Sequence, residues 1–266
     1  MRFDHLEIVE IAIEAGLAIM EVYNSSDGIE VQSKEDESPL TKADIAAHQT
    51  IIKGLAISDP GTPVVSEEGR VGATNESDVA WLVDPLDGTK EFIKRNGMFT
   101  VNIALMKREG DRWKPEFGVV HAPASGKTWF GGVGIPATRK TINDTSTISV
   151  NEHSETPLRL VASGSHRAER DEKFANDIGE HDLIRMGSSL KACAVADGTS
   201  DLYPRFGPTS CWDIAAAHAV VEAAGGFVLS PDCEPLDYDL VDEVLNPYFL
   251  VTCSTKWNDV WARNQD

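Results

Sequence analysis

Apolar residues recur at helical spacing over residues 4–23, with Leu6, Val9, Ile13, Leu17 and Met20 along one stripe, and residues 24–28 that follow are rich in helix breakers. Positions three and four apart share a helix face, so this spacing predicts an opening α-helix. A polar connecting stretch over residues 33–39 leads into a second helical pattern at about 44–55, with Thr41 or Asp44 near its start. From residue 63 the texture changes to short apolar runs bounded by turn residues, which predicts strands at 63–65, 79–83, 100–106, 117–121 and 127–130. Glycines and small polar residues over 131–154 read as a connection. Beyond it, strand-like and helix-like segments alternate at 158–162, 168–178, 183–186, 190–196 and 202–203. An apolar helix over 214–224 closes on Gly225-Gly226 and is followed by strands at 227–229 and 248–252. This irregular mixture predicts an α+β fold in layers with two sheets. We place a boundary near residue 150, giving an N-terminal α+β part, 1–150, and a C-terminal α/β part, 151–266.

Composition narrows the classes. The chain has 266 residues, 41% hydrophobic and 25% charged, enough apolar material for a sizeable core. Its formal net charge of -19 opposes binding of long nucleic acid, which requires a basic surface. The same acidity repels a small phosphorylated ligand unless cations or local basic residues reverse the field. Cys193, Cys211, Cys233 and Cys253 are far apart and form no CxxC pair, so they read as reduced thiols. Asp4, His5, Glu7 and Glu10 interrupt the apolar centre that a secretory signal needs, and no later run reaches membrane-spanning length. A cytoplasmic enzyme fits these features.

The segment Trp81-Leu82-Val83-Asp84-Pro85-Leu86-Asp87-Gly88-Thr89-Lys90-Glu91-Phe92 carries the strongest chemical signal. An apolar strand runs into two aspartates held by a proline-containing turn, a rigid arrangement that suits a hard cation. The Leu86 carbonyl lies between them and can supply another oxygen. If a short helix begins at Thr89, the Gly88 and Thr89 amides can receive phosphate oxygens. The same sequence also serves as a turn that caps a helix. Upstream, Val65-Ser66-Glu67-Glu68 is a second apolar strand ending in acids, and such an end can lie beside that of Asp84 in one sheet. Downstream, Asp213 stands at the start of the apolar helix, where a capping role alone would explain it. Three acid-bearing element ends repel one another unless divalent cations intervene.

Ser66-Glu67-Glu68, Asp84-Pro85-Leu86-Asp87-Gly88-Thr89 and Trp212-Asp213 resemble the three signatures of the inositol monophosphatase superfamily of magnesium-dependent, lithium-sensitive phosphatases. The Thr89-Lys90-Glu91-Phe92 continuation is similar to its 3'(2'),5'-bisphosphate nucleotidase branch, as are the segment from Ser33 to Asp44 and Gly187-Ser188-Ser189-Leu190-Lys191 with Tyr203-Pro204-Arg205. The resemblance implies the layered α-β-α-β-α sandwich of the sugar phosphatases. It also implies hydrolysis of adenosine 3',5'-bisphosphate to AMP and phosphate, linked to sulfate assimilation. Glu67, Asp84, the Leu86 carbonyl, Asp87 and Asp213 would hold two or three Mg2+ ions, with Mn2+ as a substitute, and Glu68 would stand behind them. Asp44 and Thr89, with Glu67, would align the attacking water. Gly88, Thr89, Lys90, Ser188, Lys191 and Arg205 would bind the substrate phosphates, and His166 would line the base or ribose pocket. Family members are monomers or homodimers, and peripheral attachment to the inner face of a membrane follows from the resemblance alone.

An inositol phosphate or fructose bisphosphate phosphatase would use the same metal site with another substrate wall. An aspartyl-phosphate enzyme of the haloacid dehalogenase type shares Asp-Gly-Thr, but needs Asp-x-Asp spacing, whereas Asp84 and Asp87 are three apart. A metal-dependent binding or scaffold protein is the non-enzymatic alternative.

Overall fold

The largest sheet forms from residues 64–147, where strands follow one another mostly as antiparallel neighbours. The structure, a computed structural model, describes residues 3–25, 31–33, 39–152, 156–163 and 169–265. Two helices precede the sheet. α1 (His5–Tyr23) starts where the Asp4 side chain accepts from the Leu6 amide, and α2 (Lys42–Ser58) starts on a Thr41–Asp44 capping box. Between them β1 (Val31–Ser33) and β2 (Pro39–Thr41) pair antiparallel; residues 34–38 of the polar stretch lie outside the described residues.

The eight-stranded sheet comprises β3 (Val64–Ser66), β4 (Gly69–Val71), β5 (Val79–Asp87), β6 (Thr100–Glu109), β7 (Arg112–Ala122), β8 (Lys127–Gly132), β9 (Ile135–Lys140) and β10 (Thr145–Thr147), in the order β10-β9-β8-β7-β6-β5-β3-β4. Only β3 and β5 run parallel within it. The expectation of a plain connection over 131–154 is therefore corrected, because β9 and β10 extend the sheet there. Gly131, Gly132, Gly134 and Pro136 resemble turn signals, and β9, next to the edge strand β10, buries only part of its length.

The second sheet has five strands in the order β12-β11-β13-β15-β14. They are β11 (Leu158–Ser163), β12 (His181–Met186), β13 (Leu202–Arg205), β14 (Phe227–Leu229) and β15 (Phe249–Thr252). Short helix α3 (Thr89–Ile93) follows β5, as its sequence predicts. The remaining helices are α4 (Glu169–Asp177), α5 (Leu190–Ala196), α6 (Cys211–Ala223) and α7 (Asn258–Ala262). The last is too short to leave a periodic signature.

Alternation along the strands divides the apolar side chains between layers. Trp81 and Val83 point to α1 and α2, whereas Ala80 and Leu82 point to α6. On the smaller sheet, Leu250 joins Phe174 of α4 and Trp261 of α7, while Phe249 and Val251 face the central helices. The layers are thus α1/α2, large sheet, α5/α6, small sheet, α4/α7, the expected five-layer sandwich.

Central helix α6 carries Ala215, Ala216, Ala217 and Ala219, all buried, and approaches β7 closely. A Cβ on Gly118 of β7 would sit 2.0 Å from the Ala216 carbonyl oxygen. Gly118→Ala must therefore push helix and strand apart, at a cost of about 1–3 kcal/mol. We expect its thermal midpoint to fall by about 2–4 °C per kcal/mol lost. An unchanged midpoint in calorimetry would show that helix and strand do not meet there.

Candidate active site

Strict alternation would turn Asp84 and Asp87, three residues apart, to opposite faces of β5. The strand avoids this with a bulge. Asp84 pairs with Asn102 and Asp87 with Thr100, so a three-residue step on β5 faces a two-residue step on β6. Pro85 is tolerated because a bulge does not require its missing amide hydrogen. The expected turn after residue 83 is thus a bulged continuation of the strand to Asp87. Gly88 then takes φ +91°, the left-handed region that glycine occupies without strain, and α3 begins at Thr89. The Leu86 amide donates to Asp84 Oδ1 at 3.0 Å, fixing that carboxylate from within the bulge.

Two further elements bring acids to the same place. β3 runs beside β5 with Ser66 opposite Val83, so Glu67 follows directly next to Asp84. Asp213 arrives from α6. The expectation that this helix starts at Ile214 is corrected: it starts at Cys211, Ser210 is the N-cap, and Asp213 is the third helical residue of a capping box. Its Oδ2 accepts from the Ser210 amide at 3.0 Å. One oxygen each of Asp84, Asp87 and Asp213 lie within 4.8 Å of one another. Burial, then repulsion from Glu67, Asp87 and Asp213, raises the Asp84 pKa well above the usual carboxylate range. Burial and Asp87 push Asp213 up to about 8. An all-oxygen cluster that resists its own charge is chemically matched to a hard divalent cation.

Asp44 repeats the capping arrangement of Asp213. Its Oδ2 accepts from the Thr41 amide at 2.7 Å and the Thr41 hydroxyl at 2.6 Å, holding the start of α2. Its Oδ1 accepts from Thr89 Oγ1 at 3.3 Å, a contact spanning two helices. Thr89 Oγ1 also stands 3.3 Å from the Leu86 carbonyl oxygen. Asp44, although a helix-start residue by sequence, is therefore joined to the acid-bearing segment.

The acids open into two adjoining cavities. The smaller, about 370 Å³, is walled by Glu67, Asp84, Leu86, Asp87, Thr89 and Asp213. The larger, about 470 Å³, is walled by Lys191, Tyr203, Arg205 and Phe249 among others. Gly88 and Lys90 border both, with Lys90 exposed. Ser188 borders the larger cavity, but its hydroxyl donates to Asp87 Oδ2 at 2.6 Å. Lys191 is buried, its ammonium bonded to the Ser188 carbonyl and 5.3 Å from the centre of the Tyr203 ring. Burial lowers its pKa to about 8, against the attraction of Asp87. Arg205 braces its own loop through Thr209 Oγ1 at 2.6 Å and the Pro208 carbonyl at 2.8 Å. Glu68 is half-buried beside Ser66, its amide donating to the Ser66 hydroxyl at 3.3 Å. His166 lies outside the described residues. Sequence reading missed Ser189, whose amide and hydroxyl reach Asp87 Oδ2 at 2.7 and 3.1 Å, and Asn102 behind it. A polar residue at an inward position of the apolar run 100–106 was the available signal.

Comparison with known proteins agrees with this geometry. The model of the inositol monophosphatase family matches residues 4–258. A protein of Escherichia coli (strain K12) named 3'(2'),5'-bisphosphate nucleotidase CysQ is 45% identical over 256 residues, covering 92% of this chain and 98% of its own length. The CysQ of Buchnera aphidicola subsp. Acyrthosiphon pisum is 40% identical over 240 residues, covering 90% and 88%. The crystal structure of CysQ from Bacteroides thetaiotaomicron superposes with a TM-score of 0.79 at 36% identity, covering 94% of this chain and 97% of that one. The acid-bearing bulge, the five-layer sandwich and these matches along almost its whole length place the chain in the inositol monophosphatase family.

Proposed function

We propose that the chain is a magnesium-dependent 3'(2'),5'-bisphosphate nucleotidase that hydrolyses adenosine 3',5'-bisphosphate to AMP and inorganic phosphate. The observation that carries this reading is the carboxylate cluster opening directly into a cavity walled by Lys191 and Arg205. The cluster suits hard cations, and the two basic side chains suit a second phosphate. The nucleotidase names of the relatives support the substrate class.

Glu67, Asp84, the Leu86 carbonyl, Asp87 and Asp213 are the residues we assign to hold two or three Mg2+ ions. When bound, the ions supply positive charge against the phosphate oxygens and lower the pKa of water. Thr89 and Asp44 align the attacking water. The Thr89 oxygen accepts the water's proton as its own passes to Asp44, which already receives that hydrogen bond. Water adds to phosphorus as the bond to the ribose oxygen breaks, and the ribose oxygen takes up a proton from solvent while Asp44 returns its own to solvent. Gly88 and Lys90 border the reacting phosphate, and Lys191 and Arg205 hold the other one. Ser188, whose proton is committed to Asp87, serves the acid in preference to the substrate. In this reading residues 1–150 contribute most of the acids and 151–266 contribute Lys191, Arg205 and Asp213.

Three outcomes are expected. The purified chain with Mg2+ releases phosphate and AMP in equal amounts from adenosine 3',5'-bisphosphate, lithium inhibits it, and Asp84→Asn abolishes the release; a chain inert under these conditions would remove the reading. Lys191→Ala raises KM for the bisphosphonucleotide about tenfold or more, since a charge-assisted hydrogen bond contributes about 1.5–3 kcal/mol. Its effect on a simple monoester should be small, and equal losses on both substrates would favour a different substrate wall.

The third outcome concerns pH. Asp84 and Asp213 have folded-state pKa values raised above those of the unfolded chain, so between the two values the folded state binds more protons. Stability of the metal-free protein therefore falls as pH rises from about 5 to about 8. Added Mg2+ should raise the thermal midpoint more at about pH 8 than at about pH 5. A shift of equal size at both would contradict the electrostatic account.

A further inference from the structure

β6 is apolar through its first seven residues except at Thr100 and Asn102, which are 0% and 1% exposed. Both lie on the face shared with Ala104 and Met106 of the central core. They are the cross-strand partners of Asp87 and Asp84. Burying an amide and a hydroxyl costs stability unless each is hydrogen-bonded, so the partners they find indicate what they do.

Asn102 Oδ1 accepts from Thr100 Oγ1 at 3.1 Å, and Asn102 Nδ2 donates to Ser189 Oγ at 2.9 Å. The Thr100 hydroxyl also contacts the Ser188 hydroxyl. Ser189 Oγ has one proton. Receiving a hydrogen bond from Asn102 directs that proton away from β6, towards the Asp213 carbonyl at 2.6 Å and Asp87 Oδ2 at 3.1 Å. The two serines thereby tie Asp87 of the large sheet to the first turn of α6, which carries Asp213. Their bonds to Asp87 converge on Oδ2.

We propose that Asn102 is a positioning residue, seconded by Thr100, which orients Ser188 and Ser189 so that Asp87 presents its other oxygen, Oδ1, to the cation site. Asn102 needs no contact with substrate for this. The proposal rests on the metal-site reading given above, and hydrogen-bond partners behind a metal ligand typically change affinity by about 10–100-fold when removed.

The test is Mn2+ binding to the full chain without substrate, followed by electron paramagnetic resonance and calorimetry, alongside kinetics with Mg2+. Asn102→Leu should weaken Mn2+ by about tenfold or more. It should raise the Mg2+ concentration needed for half-maximal rate, while kcat at saturating Mg2+ stays close to wild type. Thr100→Val, close to isosteric, should move affinity in the same direction by less and guards against misfolding of the first variant. Wild-type affinity in a folded variant of either residue, even with a lowered thermal midpoint, would reduce the pair to core packing and overturn the proposal. Absence of Mn2+ binding by the wild-type chain would instead refute the underlying metal-site reading.

Discussion

Asp84, Asp87 and Asp213 are forced within 4.8 Å of one another although their charges repel. Each is fixed by a different device. The bulge amide of Leu86 holds Asp84, the Ser188–Ser189 pair holds Asp87, and a helix start holds Asp213. Packing must supply the work of bringing them together, since nothing in their mutual interaction does. The apolar central layer, where α6 touches β7 without side chains between, makes this possible. A chain of net charge -19 concentrates part of that charge into a small buried volume and becomes receptive to cations there.

Capping and chemistry coincide in this fold. Asp44 and Asp213 are both third residues of capping boxes, each giving one oxygen to its helix start. For Asp44 the second oxygen meets Thr89. For Asp213 the carboxylate contributes to the acid cluster. A capping explanation and a functional one are thus not alternatives at these positions. A carboxylate has two oxygens, and a helix N-terminus spends only one while its dipole steadies the charge on both.

Much of this was legible in the sequence. Strand ends bearing Glu67 and Asp84 predicted two neighbouring strands, and β3 and β5 do pair. The apolar runs marked the core strands because these strands are buried on both faces, which makes the runs nearly continuous. What stayed hidden was geometry set across strands. β9 and β10 follow turn-like glycines and are weakly buried, so local reading missed them. The bulge has no local signature beyond Pro85, and Asn102 gains its meaning only once Asp84 is known to face it. Ser189 had no role of its own in the sequence, because its bond to Asp87 joins residues 102 apart.

The bulge makes the phase of a single strand a functional quantity. Straightening the bulge at the present three-residue spacing, with every acid retained, would restore regular pleating and send one carboxylate into the layer of Trp81 and Val83. Both parts of the extra residue are used: the Leu86 amide holds Asp84 and its side chain is buried in the core beside α1 and α2, so the bulge cannot be shortened without giving up one of them.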